Sequence, residues 1–213
     1  MISYYILFAI VKVIKGVQVY TRQDYVPTLC SIIVDVITVI LHICLVVINP
    51  GYLQNKEVEF LKLLETFDSS SLCPECETIR TNRSRHCIIC HQCVDRYDHH
   101  CPWINNCVGV RNHNIFIVYL IFQFATLVVS IQQTVQLLMI YYQEKELPDS
   151  RFDWIVKIYM ENKDHQDMVL VASLITIIVI CLLFVIPMMR LIHVQLGNFL
   201  SGKTTNERYS RAL

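Results

Sequence analysis

The chain has 213 residues, 18 basic and 18 acidic, a formal net charge of zero and a hydrophobic content of 54%. A mean hydropathy of +0.43 is too apolar for an ordinary soluble domain. Without a basic tract there is no electrostatic footprint for nucleic acid, which argues against that class of partner.

The first apolar stretch, residues 2–20, is interrupted by Lys12 and Lys15. It lacks a basic leader and a small-residue cleavage site, so it reads as a retained anchoring helix and not a signal peptide. Residues 27–48 form a second apolar stretch, long enough to cross about 30 Å of hydrocarbon. Asp35 lies inside it and would be costly as an isolated charge. It is expected either to pair, with Lys12 as the candidate partner, or to be protonated and hydrogen-bonded. His42 reads as packed or hydrogen-bonded. Asn49-Pro50-Gly51 then ends the helix and redirects the chain.

Residues 73–116 hold seven of the ten cysteines and five of the eight histidines. Cys73-x-x-Cys76, Cys87-x-x-Cys90 and Cys90-x-x-Cys93, interleaved with histidines, have the spacing of zinc sites rather than of a disulfide framework. Two tetrahedral sites take eight donors, and the segment offers more. A surplus thiol and imidazole are therefore expected in Asp98-His99-His100-Cys101. There His99 would take a proton from Cys101, and Asp98 would hold the imidazole in the right tautomer. The alternative is that Cys101 is one more metal ligand.

Residues 115–142 and 168–192 are two further apolar stretches, so four transmembrane helices are expected. The loop 143–167 carries Phe152, Trp154, Ile155, Ile158 and Tyr159, which fits a short amphipathic piece on the outer leaflet or an ordinary solvated loop. Zinc thiolates and a nucleophilic thiol persist on the reducing side of a membrane, which puts the cysteine-rich segment and both termini in the cytosol. The basic tail after Arg190 agrees with that orientation. No internal repeat is evident.

Asp98-His99-His100-Cys101, followed at fixed spacing by Cys107, Asn112 and Phe116, resembles the cysteine-rich domain of the DHHC protein S-acyltransferases. The resemblance implies that Cys73, Cys76, His86 and Cys93 bind one structural Zn²⁺, and that Cys87, Cys90, His100 and Cys107 bind a second. His91 is then surplus. Asp98, His99 and Cys101 are left as orienting residue, general base and acid, and nucleophile. Asn49-Pro50-Gly51 resembles the family's Asp-Pro-Gly turn with Asn for Asp. Thr204-Thr205-Asn206-Glu207 matches its TTxE motif, which braces the catalytic domain against the membrane helices, although Ser/Thr followed by Glu is also a generic capping box. The chain ends at Leu213, where the family usually carries a further helix and an aromatic C-terminal motif. That difference reads as a truncated or divergent member.

The implied fold is a membrane all-α protein of four transmembrane helices, with a small two-zinc cysteine-rich cytosolic domain inserted between helices two and three. Its divisions are 1–49 (helices one and two), 50–113 (the DHHC domain), 114–192 (helices three and four with loop 143–167) and 193–213 (the tail bearing Thr204, Thr205 and Glu207). The implied activity is transfer of a long-chain acyl group, typically palmitoyl, from acyl-CoA to protein cysteines through an acyl-Cys101 intermediate. Arg80, Arg83 and Arg85 would meet the CoA phosphates, or form a solvated basic turn. Trp103 would sit at the acyl thioester and the membrane boundary, or simply pack. Expected partners are the bilayer and proteins with membrane-proximal cysteines. The expected location is an endomembrane (Golgi or ER) or the plasma membrane.

The competing readings are a catalytically inactive, membrane-anchored zinc module and a transporter. A RING-type ligase needs a further cysteine pair downstream, where only Cys181 remains. A transporter needs polar residues organised across several helices, and Asp35 and His42 are thin support.

Overall fold

The structure, a computed structural model, describes residues 25–54, 59–146 and 163–209. The expected helix at 2–20, the partner Lys12 and the outer-leaflet piece around Trp154 lie outside the described residues.

Three long helices carry the apolar stretches: α1 (Tyr25–Val47), α3 (His113–Glu146) and α4 (Lys163–Ser201). Among the described residues, three helices are long and apolar enough to cross a membrane: Leu29–Val47, His113–Met139 and Val171–Ser201. Both α3 and α4 outrun the stretches read from hydropathy. A helix satisfies its own backbone whatever its side chains, whereas hydropathy marks only the part that suits lipid. The tail expected from 193 is accordingly still helical to Ser201, with Gln195 and Asn198 buried in its last turns.

The cysteine-rich segment adds hairpins to this helical frame. After the short helix α2 (Phe60–Thr66), β1 (Leu72–Cys73) pairs with β2 (Thr78–Ile79), β3 (Arg85–Cys87) with β4 (Gln92–Val94), and β5 (His99–Cys101) with β6 (Asn106–Val108). All three ladders are antiparallel and two-stranded. Strands of two or three residues have too little ladder to stand alone, so something else must hold them. A last helix, α5 (Thr205–Tyr209), follows α4.

The chain divides into two compact units, one of residues 1–35 and 123–189, the other of 36–122 and 190–213. In the first, Leu127, Ile177 and Cys181 form a buried apolar cluster, and the Thr126 hydroxyl donates to Asp35 Oδ1 at 3.4 Å. A polar side chain thus meets the carboxylate within the apolar stretch. The second unit contains the cysteine-rich segment together with the adjoining ends of the long helices.

In that second unit, Asn49 Oδ1 accepts from the backbone N–H groups of Gly51 and Tyr52, each at 2.8 Å. The turn uses a side-chain oxygen, which Asp and Asn both supply, so Asn for Asp keeps the acceptor. Gly51 has φ +114°, and a Cβ there would come within 2.7 Å of Val110. Asn106 fastens the hairpins to the end of α1. Its amide donates to the carbonyls of Leu45 (2.9 Å) and Ile48 (2.8 Å), which have no partner further along the helix. His42 lies 3.3 Å from the Tyr119 hydroxyl in the same unit, as a hydrogen-bonded residue would.

Candidate active site and metal centres

The two expected donor sets converge. Cys73, Cys76, His86 and Cys93 form one group and Cys87, Cys90, His100 and Cys107 the other, with the ligand atoms of each within 4.8 Å of one another. His86 Nδ1 lies 3.6, 3.2 and 3.9 Å from the sulfurs of Cys73, Cys76 and Cys93. His100 Nδ1 lies 3.8, 3.3 and 3.7 Å from those of Cys87, Cys90 and Cys107. A tetrahedral Zn²⁺ with ordinary Zn–S and Zn–N bonds sets N···S edges of about 3.6 Å. Both cages have the right size and the right donors for zinc.

The hairpins explain this division. His86 faces Cys93 across β3–β4, and His100 faces Cys107 across β5–β6. Each such pair meets the turn cysteines of the preceding hairpin. The arrangement recurs every fourteen residues: Cys73, Cys87 and Cys101 each open a turn, and Glu77, His91 and Asn105 close it with φ of 48°, 52° and 47°. The segment is therefore an internal repeat, contrary to the expectation of none. Its signal in the sequence was the His-Cys pair at 86–87 returning at 100–101.

The repeat is incomplete at both ends. Leu72 and Ile79 stand where the later hairpins place His and Cys, so the first strand pair holds no metal. In the third turn Ile104 stands where Cys76 and Cys90 stand in the first two, and α3 follows where a fourth hairpin would begin. Cys101 thus occupies a ligand's position in the repeat but belongs to neither cage. Strand alternation separates it further, because His99 and Cys101 project to the face of β5 opposite His100.

On that face Asp98, His99 and Cys101 come together. His99 Nδ1 lies 2.6 Å from Asp98 Oδ2, and Cys101, two residues further along β5, projects to the same face as His99. Phe116 packs edge-on against the imidazole, with ring centroids 5.4 Å apart. Burial would raise the Asp98 carboxyl, but hydrogen bonds from His99, the Thr205 backbone N–H and Gln195 outweigh it and hold the group at about 2. Burial would likewise lower His99, but the hydrogen bond to Asp98, with Cys101 as a lesser influence, raises it to about 9. The ring can therefore carry a proton between the buried carboxylate and the thiol.

The TTxE residues complete the site. Asp98 Oδ1 accepts from the Thr205 N–H at 2.5 Å, and Oδ2 accepts from the Thr205 hydroxyl at 3.0 Å. Thr204 and Glu207 form a reciprocal capping box on α5: the Glu207 N–H donates to Thr204 Oγ1 at 3.2 Å, and the Thr204 N–H to Glu207 Oε2 at 2.8 Å. The generic cap and the family motif are one structure here. Asn112 is fully buried, accepting from the Gly109 N–H and donating to the Cys107 carbonyl, each at 2.8 Å.

The three arginines have separate neighbours. Arg83 grips Glu207 with both arms of its fork, at 2.5 and 2.7 Å, and also reaches the Gly202 carbonyl. Arg80 is half-buried, and its Nε is buried without a hydrogen-bond partner among the described residues, while Arg85 is exposed. Trp103 is 56% exposed in the turn beside Cys101, and His91 is exposed in the preceding turn. Sequence reasoning missed Gln195, Asn198 and His113, which gather behind Asp98. Polar residues three apart on one face of an otherwise apolar helix were the available signal for Gln195 and Asn198.

Residues 66–212 match the DHHC palmitoyltransferase family. The chain is 42% identical over 88 residues to palmitoyltransferase akr1 of Schizosaccharomyces pombe, covering 38% of this chain and 14% of that protein. It is 41% identical over 78 residues to mouse (Mus musculus) palmitoyltransferase ZDHHC4, covering 34% and 23%. With palmitoyltransferase ZDHHC17 of Danio rerio it shares 40% identity over 80 residues, covering 35% and 13%. The chain thus spans less than a quarter of the length of these relatives. The family match, in contrast, takes in both metal cages, the Asp98–His99–Cys101 group and the capping box, and the chain belongs to the DHHC palmitoyltransferase family.

Proposed function

We propose that the chain is a protein S-acyltransferase. It moves a long-chain acyl group, typically palmitoyl, from acyl-CoA to protein cysteine thiols. The observation that supports this most is a thiol outside both four-donor cages, on the strand face that carries His99 and beside buried Asp98.

The reaction has two steps. His99 takes the Cys101 proton, and the sulfur attacks the acyl-CoA carbonyl. The new C–S bond forms as the bond to CoA breaks, and His99 returns the proton to the departing CoA thiolate. A substrate thiol then gives its proton to His99 and attacks the acyl-cysteine. Its sulfur takes the acyl group, and Cys101 leaves as thiolate to recover the proton. One thioester replaces another at each step, so no energy source is needed. Asp98 keeps the Nδ1 proton of His99 in place, which leaves Nε2 for Cys101. The two Zn²⁺ ions supply structure, holding hairpins too short to persist alone.

The four-helix arrangement, the span at 2–20, the cytosolic position of residues 50–113 and the endomembrane or plasma-membrane setting belong to the same reading. They place the thiol where an acyl tail need not leave the bilayer, a step that costs about 0.8 kcal/mol per CH₂. Exposed Trp103 beside Cys101 suits that boundary. Among Arg80, Arg83 and Arg85, the exposed Arg85 is the strongest candidate for a CoA phosphate, since Glu207 holds Arg83 and Arg80 is half-buried.

Incubating the purified protein with labelled palmitoyl-CoA tests the reading. The expected result is a hydroxylamine-labile label that disappears in Cys101→Ser with two zincs retained. In His99→Ala it should form about 10²- to 10⁴-fold more slowly. A wild-type protein that binds two zincs and takes no label is instead a zinc-binding interaction module. A zinc lost in Cys101→Ser would overturn the division of donors.

A further inference from the structure

Behind Asp98, away from His99, lies a second line of hydrogen bonds. Gln195 near the end of α4 and His113 at the start of α3 are 1% and 7% exposed. Gln195 Nε2 donates to Asp98 Oδ2 at 3.0 Å and to Thr205 Oγ1 at 3.1 Å. Its carbonyl oxygen lies 2.9 Å from His113 Nε2. Asn198 Nδ2 donates to Thr205 Oγ1 at 2.8 Å.

The inventory of donors fixes every orientation. The Thr205 hydroxyl has one proton, given to Asp98, and two lone pairs, which Gln195 and Asn198 fill. Both amide protons of Gln195 are then committed. Reversing the amide would set its oxygen against the Asp98 carboxylate and leave Thr205 short of a donor. Only one orientation satisfies the group, and it requires His113 to carry its proton on Nε2. With this line in place Asp98 Oδ2 cannot turn away from the His99 ring.

We infer that Gln195 and His113 are positioning residues for the acyl-transfer site: His113 fixes the Gln195 amide, and Gln195 fixes the Asp98 carboxylate against His99. This rests on the acyltransferase reading and deepens it. Neither residue touches the reacting atoms. Their effect passes through Asp98 to the tautomer and direction of the imidazole that serves Cys101. Partners of this kind, one contact removed from the reacting group, are commonly worth 10- to 100-fold at metal sites, and a similar scale is expected here.

The test uses the full chain in detergent or nanodiscs, with two rates for each variant. One is palmitoylation of Cys101 by palmitoyl-CoA, resolved into kcat and KM. The other is alkylation of Cys101 by iodoacetamide, read at that residue by mass spectrometry with zinc content measured alongside. Gln195→Ala and His113→Ala are each expected to lower kcat and the alkylation rate 10- to 100-fold, with KM unchanged and two zincs bound. The double variant should be no slower than the slower single, since both act on one carboxylate. His113→Gln, whose amide can donate to Gln195, should recover most of the loss. Gln195→Met fills the same volume without the hydrogen bonds and should be as slow as Gln195→Ala. Additive losses, unchanged rates, no recovery in His113→Gln, or slowing that follows loss of zinc in Gln195→Met would overturn the inference. If wild type takes no acyl group, the acyltransferase reading fails by itself. The alkylation series then still decides whether these residues hold the Asp98–His99–Cys101 group.

Discussion

On the proposed reading, adjacent residues in one short strand separate metal binding from chemistry. His100 faces Cys107 and the second cage, while His99 and Cys101 point the other way, one toward Asp98 and the other free of both donor sets. Asn112 contributes at the same scale without touching either. It bridges the Gly109 N–H and the Cys107 carbonyl from a fully buried position, which keeps a cysteine of the second cage in register with the start of α3. Asn112→Ala would strand both backbone groups away from water, at a cost of about 2–4 kcal/mol. The expected outcome is a lowered melting temperature together with easier release of one zinc, measured by thermal unfolding with a zinc indicator present. An unchanged melting temperature would show that water takes over both contacts.

At the scale of elements, the hairpins depend on what lies at their edges. Each cage joins the turn of one hairpin to the strand pair of the next, and β3–β4 contributes to both. The short α5 returns to the same surface through its capping box and the Arg83–Glu207 pair. The Glu207 carboxyl lies below its ordinary value of 4.5, chiefly because Arg83 hydrogen-bonds it. A depressed carboxylate stabilises the fold above the unfolded value and loses that contribution as pH falls through the folded one. The side chains are 39% and 27% exposed, so solvent screening limits the pair to about 1 kcal/mol. Wild type should therefore exceed Glu207→Gln by about that amount at neutral pH, with the difference vanishing in acid below 4.5. Paired denaturation curves across pH check this, because acid release of zinc is common to both proteins and cancels. A gap that grows in acid would contradict it.

For the molecule as a whole, the metals and the helices make different demands on the chain. The hairpin strands are too short to persist without ligation, whereas the long helices satisfy their own backbones. Chelation should then melt the cysteine-rich segment while most helical circular dichroism remains. The two ions should leave together, since losing either frees the β3–β4 hairpin that serves both. A zinc indicator followed alongside circular dichroism measures this, and two well-separated release steps would count against shared support.

The sequence by itself determined the chemistry of the donors and the apolar stretches. Ligand spacing, hydrophobic length and the Asp98–Cys101 run are local properties that need no neighbours to be read. The Thr204–Glu207 cap was legible for that reason, and so was the fourteen-residue recurrence, although it went unread; spacing alone gave a surplus of donors, and the family resemblance named the eight cage residues. Only the tertiary structure decided why Cys101 is the spare thiol, because that depends on α3 following where a fourth hairpin would begin and on which face of β5 each side chain takes. It also decided that Arg83 serves Glu207, and that Gln195 and His113 stand behind Asp98. Those contacts join residues 82 to 124 positions apart in the chain, and hydrogen bonds across such distances leave no periodic trace along a sequence.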